Sequence, residues 1–348
     1  MGQFLQEIME QPQAFERLLG NYVEKEHEGL IRTKYEFAKE VRNVIFTGMG
    51  SSYFAAHVAA NFLNENGIAA FACEAGEFLH YNIGGIRNND LLIAVSQSGK
   101  TIEVKEIVKK LKGKITVVGV TNNEDSYLGR NCNILLPMYA GQEKMTTSKT
   151  YTNTIALLLI LAETLVDDLS NTRKEELYQI PQFMQNLLTD WEIKIDPIVR
   201  FLENIPFLHL VSRGPSYATV MQSSVILKEA AHIYAEGLSG ASFKHGPIEI
   251  VDSRHGAIVF APRGKTLELN IKTAHELVNL GSSVVLISNT DESYQNNNLY
   301  QFTLPVVDEY LFPLLDIIPI EFLIVKIAQK KGLEPGALLV TQKGIVEE

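Results

Sequence analysis

The sequence predicts an α/β protein with two similar halves, each built on a parallel sheet covered by helices on both faces. Short β-rich apolar runs alternate with longer amphipathic stretches, which is typical of parallel strands joined by helices. The chain also repeats itself at an offset of about 165 residues, which indicates duplication. Its 348 residues are enough for two domains with full cores.

The elements of the first half follow the apolar pattern. Strands are predicted at about 43–48, 69–72, 91–95, 115–120 and 133–136, and helices at 52–66, 101–112 and 148–168. A helical pair at about 171–203 joins the halves. The predicted boundaries are 1–40 for N-terminal helices, 41–168 for the first domain, 169–204 for a helical linker, 205–330 for the second domain and 331–348 for a C-terminal tail.

Four sequence matches in the same order are the evidence for the duplication. They pair Val44–Tyr53 with Leu208–Tyr217, Ser98–Glu103 with Arg263–Glu268, Val117–Ser126 with Val284–Ser293, and Leu136–Pro137 with Leu304–Pro305. One such match could be chance, but four in order predict two copies of one domain.

The hexapeptide Ser96-Gln97-Ser98-Gly99-Lys100-Thr101 lies between an apolar run and a helical pattern that begins at Ile102. A strand, a polar loop and a helix start can hold a phosphate through free backbone N–H groups and hydroxyls. A nucleotide-binding P-loop is excluded because Ala94 stands where that motif needs its first glycine. Gly50-Ser51-Ser52 also follows a predicted strand, so we expect both loops to face one ligand.

The second copy of the hexapeptide has Ala261-Pro262-Arg263 in place of Ser-Gln-Ser. Those changes remove two hydroxyl donors and one backbone N–H. The first half is therefore predicted to hold the phosphate.

Composition excludes several classes of protein. The net charge of −10 argues against a nucleic-acid or anionic-membrane partner. Cys73 and Cys132 form no disulfide framework, and no signal core or membrane-length apolar run is present, so a cytoplasmic location is predicted. No metal and no other cofactor is expected, because six histidines show no ligand spacing: His57, His80, His209, His232, His255 and His275.

Over nearly its whole length the chain resembles the sugar isomerase (SIS) domain family, arranged as a tandem pair of flavodoxin-like three-layer domains. The resemblance rests on five motifs: Gly50-Ser51-Ser52-Tyr53, Ser96–Thr101, Thr147-Ser148-Lys149, Lys228-Glu229 and Lys244-His245-Gly246-Pro247. The branches most similar to it are the isomerase half of the glutamine-dependent glucosamine-6-phosphate synthases, the amino-sugar phosphate deaminases and the fructosamine-6-phosphate deglycases.

The resemblance implies a role for each matching residue. The implied substrate-binding residues are Gly50, Ser51, Ser52, Ser96, Gln97, Ser98, Thr101, Thr147 and Lys228. Glu229 matches the acid–base glutamate that moves a proton between C1 and C2. His245 matches a histidine that assists ring opening from a neighbouring subunit, which implies a homodimer or a larger oligomer such as a tetramer. Lys343 matches a lysine that meets the open-chain carbonyl when the chains are aligned from the end; aligned from Pro335, that position is Val340.

The implied function is an enzyme that isomerises an aldose to a ketose, cleaves a C–N bond, or does both, on an amino-hexose 6-phosphate such as glucosamine 6-phosphate. No glutaminase domain precedes the motifs and residue 2 is Gly, which favours release of the amine. Gly141-Gln142-Glu143-Lys144 with Thr147-Ser148-Lys149 is more similar to the deaminases and the synthases, whereas Glu249 is more similar to the deglycases. Ile226 replaces a second lysine of the synthases. A sugar-phosphate sensor without catalysis remains an alternative of another class.

Overall fold

The computed structural model describes residues 2–25, 27–290, 292–294 and 296–340. The chain divides into two compact units. The described residues of the N-terminal unit are 10–25, 27–143, 147–181 and 339–340, and those of the C-terminal unit are 2–9, 144–146, 182–290, 292–294 and 296–338. The domain boundaries inferred from the sequence stay a prediction.

The N-terminal unit is built on a parallel sheet that has, within the described residues, five strands in the order β2-β1-β3-β4-β5. The strands are β1 (Val44–Gly48), β2 (Ala70–Glu74), β3 (Leu91–Val95), β4 (Thr116–Thr121) and β5 (Ile134–Pro137). β1 and β3 are buried at every residue, because their apolar runs lie in a sheet that is covered on both faces.

In chain order, α1 (Gln3–Met9) comes first and belongs to the C-terminal unit. The helices of the N-terminal unit are α2 (Gln11–Tyr22), α3 (Glu28–Phe37), α4 (Ser51–Glu65), α5 (Ala75–Glu77), α6 (Ile102–Leu111), α7 (Tyr127–Asn131) and α8 (Lys149–Val166). The next helix, α9 (Asn171–Leu188), has residues of both units. α8 is apolar around most of its surface and is buried from Lys149 to Leu165, since it packs against α2, α3 and α4.

The C-terminal unit repeats the same strand order. Within the described residues its parallel sheet has five strands in the order β7-β6-β8-β9-β10. They are β6 (Phe207–Ser212), β7 (Tyr234–Ser239), β8 (Gly256–Ala261), β9 (Ser283–Ser288) and β10 (Leu299–Thr303). The sheet is accompanied by α10 (Trp191–Phe201), α11 (Tyr217–Ala231), α12 (Gly240–Lys244), α13 (Leu267–Asn279), α14 (Pro313–Asp316) and α15 (Ile318–Lys330).

The two sheets confirm the predicted tandem α/β fold. By position in the sheets β1 corresponds to β6 and the edge strand β2 to β7, and the sequence repeat pairs β1 with β6. Among the described residues, no helix combines the length and the apolar character needed to cross a bilayer.

A buried carboxyl group ties α14 to α11 in the C-terminal unit. The hydroxyl of Thr219 in α11 donates to Oδ1 of Asp316 at 2.6 Å. Asp316 is fully buried, and burial raises its pKa from the usual 3.8 to about 8, although the Thr219 hydrogen bond acts in the opposite direction. The carboxyl group is therefore protonated in the folded protein at pH values where it is ionised in the unfolded chain.

The raised pKa of Asp316 predicts how stability depends on pH. Between its unfolded and folded pKa values the native state binds more protons, so the free energy of unfolding falls as pH rises from about 4 to about 8. An amide has no such dependence. We expect Asp316→Asn to gain stability relative to wild type between about pH 5 and pH 8 in urea unfolding.

Asp125→Asn is the matched control, because the Asp125 side chain is 90% exposed. Its stability difference from wild type should stay nearly constant over this range. Parallel pH profiles for wild type and Asp316→Asn would contradict the assignment.

Candidate functional site

A cavity opens where the strand order of the N-terminal sheet reverses. From β1 the chain crosses to β2 on one side and then to β3 on the other, so the loops after β1 and β3 diverge at their carboxyl ends. The cavity there has a volume of about 310 Å³. It is lined by Met49, Gly50, Ser51, Ser52, Gln97, Ser98, Thr101, Glu103, Thr147, Thr150, Tyr151 and Thr154.

Helix N-termini supply the positive potential of this cavity. α4 begins at Ser51 and α6 at Ile102, and their N-cap residues Gly50 and Thr101 make no side-chain capping hydrogen bond. The first N–H groups of a helix lack intrahelical partners and carry the positive end of its dipole. None of the described lining residues is Lys, Arg or His. An anion here would thus be held by N–H groups and hydroxyls.

The loop after β3 is shaped by its own hydrogen bonds. Ser96 is 2% exposed, its hydroxyl lies 2.8 Å from the hydroxyl of Thr101, and it accepts from the N–H of Gly99 at 3.1 Å. Ser96 does not line the cavity, whereas Gln97, Ser98 and Thr101 do. The structure places Ser96 in support of the loop, and a direct ligand contact by Ser96 stays a prediction.

The N-terminal end of α8 forms the facing wall. Thr147, which lies just before α8, was predicted from the sequence. Thr150, Tyr151 and Thr154 of α8 were not, although they follow Thr147 by three, four and seven positions, which is the spacing of one helix face. That spacing is the signal that would have found them. Met49 and Glu103 were also missed, and each is adjacent or close to a predicted motif.

Glu143 organises the start of α8. Its carboxylate accepts from the N–H groups of Ser148 at 3.0 Å and Thr150 at 3.1 Å, and from the Thr150 hydroxyl at 2.6 Å. A carboxylate at a helix N-terminus is stabilised by both the N–H groups and the dipole. Beside it, the buried Lys149 forms an ion pair with Glu10. The contacts of Glu143 therefore fix Thr150 in the cavity wall.

Lys228, Glu229 and His245 belong to the C-terminal unit. Lys228 and Glu229 lie in α11, where Lys228 is exposed and Glu229 is partly buried. The hydroxyl of Thr146 donates to Oε2 of Glu229 at 2.9 Å. His245 is exposed at the end of α12. Lys343 lies outside the described residues.

In the C-terminal unit, the loop that corresponds to Ser96–Thr101 is contacted by a side chain of the protein itself. The N–H of Lys265 donates to Oε2 of Glu309 at 3.3 Å, and a Cβ on Gly264 would lie 2.3 Å from the same oxygen. The guanidinium of Arg213 donates to Oδ1 of Asn270 at 2.9 Å. A carboxylate of the chain thus lies at the loop that corresponds to the hexapeptide. In the described part of the chain no group of His, Cys, Asp and Glu side chains could hold a metal ion.

The fold and the cavity together define a doubly wound α/β protein with a hydroxyl-rich cavity at the switch point of its first sheet. The SIS domain family matches residues 37–164 and 208–328, one match for each sheet, and the chain belongs to this family.

Known proteins extend this similarity. The chain is 30% identical over 340 residues to a glutamine–fructose-6-phosphate aminotransferase [isomerizing] of Pyrococcus horikoshii; the match covers 95% of this chain and 55% of that protein. The chain thus spans about half the length of this relative.

Solved structures show the same fold. The C-terminal domain of glucosamine-fructose-6-phosphate aminotransferase from Francisella tularensis has a TM-score of 0.86 at 23% identity, covering 97% of this chain and 98% of that one. A glucosamine-6-phosphate deaminase from Thermotoga maritima has a TM-score of 0.77 at 20% identity, covering 99% of both chains.

Gly99 offers a test of whether the loop after β3 holds an anion. Its φ of +64° disfavours a side chain, and a Cβ there would lie 1.8 Å from Oγ of Ser126. We expect saturating fructose 6-phosphate to raise the thermal stability of the wild type, and we expect Gly99→Ala to displace the loop and to abolish that effect.

Gly113→Ala is the matched control, because Gly113 has a φ of +76° but open space around its Cβ position. It should cost about 1 kcal/mol in stability and keep the ligand response. Equal ligand responses in the two variants would show that the loop does not bind the sugar phosphate.

Proposed function

We propose that this protein is an enzyme that binds a hexose 6-phosphate in the N-terminal cavity and moves a proton between C1 and C2. The observation that carries the proposal is the cavity itself: two helix N-termini and several hydroxyls converge at a switch point in a member of the SIS domain family. Its volume lies at the small end of the range of roughly 300–1,000 Å³ for ligand pockets, which suits a single sugar phosphate.

Charge and donor geometry support the N-terminal cavity as the phosphate site. A dianion gains from the ends of α4 and α6 and from the hydroxyls of Ser52, Ser98 and Thr101. Glu103, a carboxylate on the same cavity, disfavours a second anionic group and favours substrates that carry a nitrogen cation elsewhere.

Glu229 is proposed as the acid–base group. One carboxylate next to C1 and C2 can take the proton from C2 of an open-chain 2-amino aldose and return it to C1. Overall, the C2 hydrogen moves to C1 and one N–H hydrogen moves to O1. The C1 aldehyde thus becomes a CH₂OH group and the C2 amine becomes an imine, which water hydrolyses to a ketone and ammonia. His245 is proposed to assist ring opening and Lys343 to meet the open-chain carbonyl.

The role of His245 follows the family resemblance, in which that histidine comes from a neighbouring subunit. A homodimer is therefore part of the proposal.

The names of the relatives support an amino-hexose 6-phosphate. One relative is named for glutamine and fructose 6-phosphate, and one structural neighbour is named as a glucosamine-6-phosphate deaminase. We therefore place glucosamine 6-phosphate first, with release of ammonia and formation of fructose 6-phosphate. Fructosamine 6-phosphates come second, because of Glu249.

A substrate panel tests the proposal. Purified protein is incubated with glucosamine 6-phosphate and with fructosamine 6-phosphates, and ammonia, free amino acid and hexose phosphate are followed. We expect ammonia and fructose 6-phosphate from the first compound. Glu229→Gln should lower kcat at least about a hundredfold, because general acid–base catalysis contributes that much.

Glu268→Gln in α13, at an exposed position of the same unit, is the control and should keep wild-type kcat. Full activity of Glu229→Gln would refute the proposed base. Release of an amino acid only from fructosamine 6-phosphates would identify a deglycase. Binding of sugar phosphates without turnover would identify a sensor.

Ser98→Ala separates binding from chemistry. Its hydroxyl borders the cavity and accepts from the N–H of Lys100 at 3.2 Å. We expect KM for the preferred sugar phosphate to rise roughly tenfold while kcat changes little, because the lost contact acts on bound substrate and transition state alike. An unchanged KM would remove Ser98 from the phosphate site.

A further inference from the structure

Thr146 is a buried residue whose hydroxyl donates to the carboxylate of Glu229. It is 3% exposed, and its Oγ1 donates to Oε2 of Glu229 at 2.9 Å within the C-terminal unit. A hydrogen bond to an ionised acceptor is about twice as strong as one between neutral groups. This contact therefore fixes a rotamer of Glu229 and favours its ionised form.

The position of Thr146 is set by Glu7 in α1. Oε1 of Glu7 accepts from the N–H of Lys144 at 2.7 Å, and Oε2 accepts from the N–H of Met145 at 3.2 Å. Gln3 also donates to Oε1 of Glu7 at 3.0 Å. Glu7 is fully buried, so losing these N–H donors would leave a desolvated carboxylate unsatisfied.

The backbone of Thr146 is held as well. Its N–H donates to the carbonyl of Gly336 at 2.9 Å. The N–H groups of Lys144 and Met145 thus donate to Glu7, and the next N–H group, that of Thr146, donates to Gly336. The Thr146 side chain has little freedom to leave Glu229.

We propose that Thr146 is a positioning residue for Glu229, and that Glu7 acts through Thr146 by holding residues 144–146 in place. The catalytic consequence of this contact rests on the proposed function, in which Glu229 is the base. Its structural content, a hydrogen bond that favours the ionised carboxylate, is independent of any activity.

The effect of removing the hydroxyl has a definite sign. A hydrogen bond to the charged form favours ionisation, so without it the Glu229 carboxyl retains its proton to higher pH. Valine has nearly the shape of threonine and lacks the hydroxyl, whereas serine keeps it. Thr146→Val therefore removes the hydroxyl donor, whereas Thr146→Ser keeps it.

The primary experiment is an NMR titration of ¹³C-labelled glutamate side chains, with the Glu229 resonance assigned by its loss in Glu229→Gln. In Thr146→Val the Glu229 carboxyl should titrate at a higher pH than in wild type, and Thr146→Ser should restore the wild-type titration. Glu7→Gln should shift it in the same direction by less, because the amide nitrogen cannot accept from a backbone N–H.

Thr33→Val is the matched control. Thr33 is another fully buried threonine, but its hydroxyl donates to the carbonyl of Gly29 in the N-terminal unit. This variant should leave the Glu229 titration unchanged. Equal titrations of Glu229 in wild type and Thr146→Val would overturn the inference, whatever the activity of the protein.

Kinetics supply the second measurement. With the substrate identified by the panel, Thr146→Val should lower kcat on the order of tenfold, leave KM nearly unchanged and move the acidic limb of the kcat–pH profile to higher pH. Thr146→Ser should restore the limb. A shifted titration in a protein without turnover would support the positioning contact and refute the proposed function; normal turnover with an unmoved limb would refute the positioning role alone.

Discussion

The cavity of the N-terminal unit depends on the close approach of the first turn of α4 to the end of β3. Gly48 permits this approach: a Cβ there would lie 2.8 Å from both Cβ of Ser52 and the carbonyl oxygen of Val95. Because β1 and β3 are neighbours at the switch point, the N-termini of α4 and α6 then open onto one cavity. A helix N-terminus attracts an anion without a basic side chain, which explains how a cavity without Lys, Arg or His among its described lining residues can suit a phosphate.

Duplication produced two sheets of the same strand order, and divergence then gave their loops different contents. In the N-terminal unit the loop after β3 borders open space, whereas in the C-terminal unit the Glu309 carboxylate accepts from the corresponding loop. A carboxylate in that place uses the same N–H donor that a bound anion would use. The C-terminal unit instead holds Glu229, whose carboxylate is contacted by Thr146.

Much of the N-terminal sheet and of its cavity could be predicted from the sequence. The five strands of the N-terminal sheet lie within one or two residues of their predicted positions, because fully buried parallel strands are continuous apolar runs that polar loops interrupt. Gly50, Ser51, Ser52, Gln97, Ser98, Thr101 and Thr147 do converge on one cavity. The direction of the Ser96 side chain could not be predicted, since a serine in a polar loop can face a ligand or satisfy the loop itself.

The sequence by itself determined the tandem fold and the strand ends at which a phosphate would be held, because both follow from local apolar periodicity and from short motifs. Only the tertiary structure decided that Ser96 supports the loop and that Glu143 organises the start of α8. It also decided that Thr146 donates to Glu229 and that Glu7 accepts from the nearby N–H of Lys144. Each of these contacts joins atoms whose partner is chosen by packing. Thr146 and Glu229, for example, are distant in sequence, and neither carries a local signal of the other.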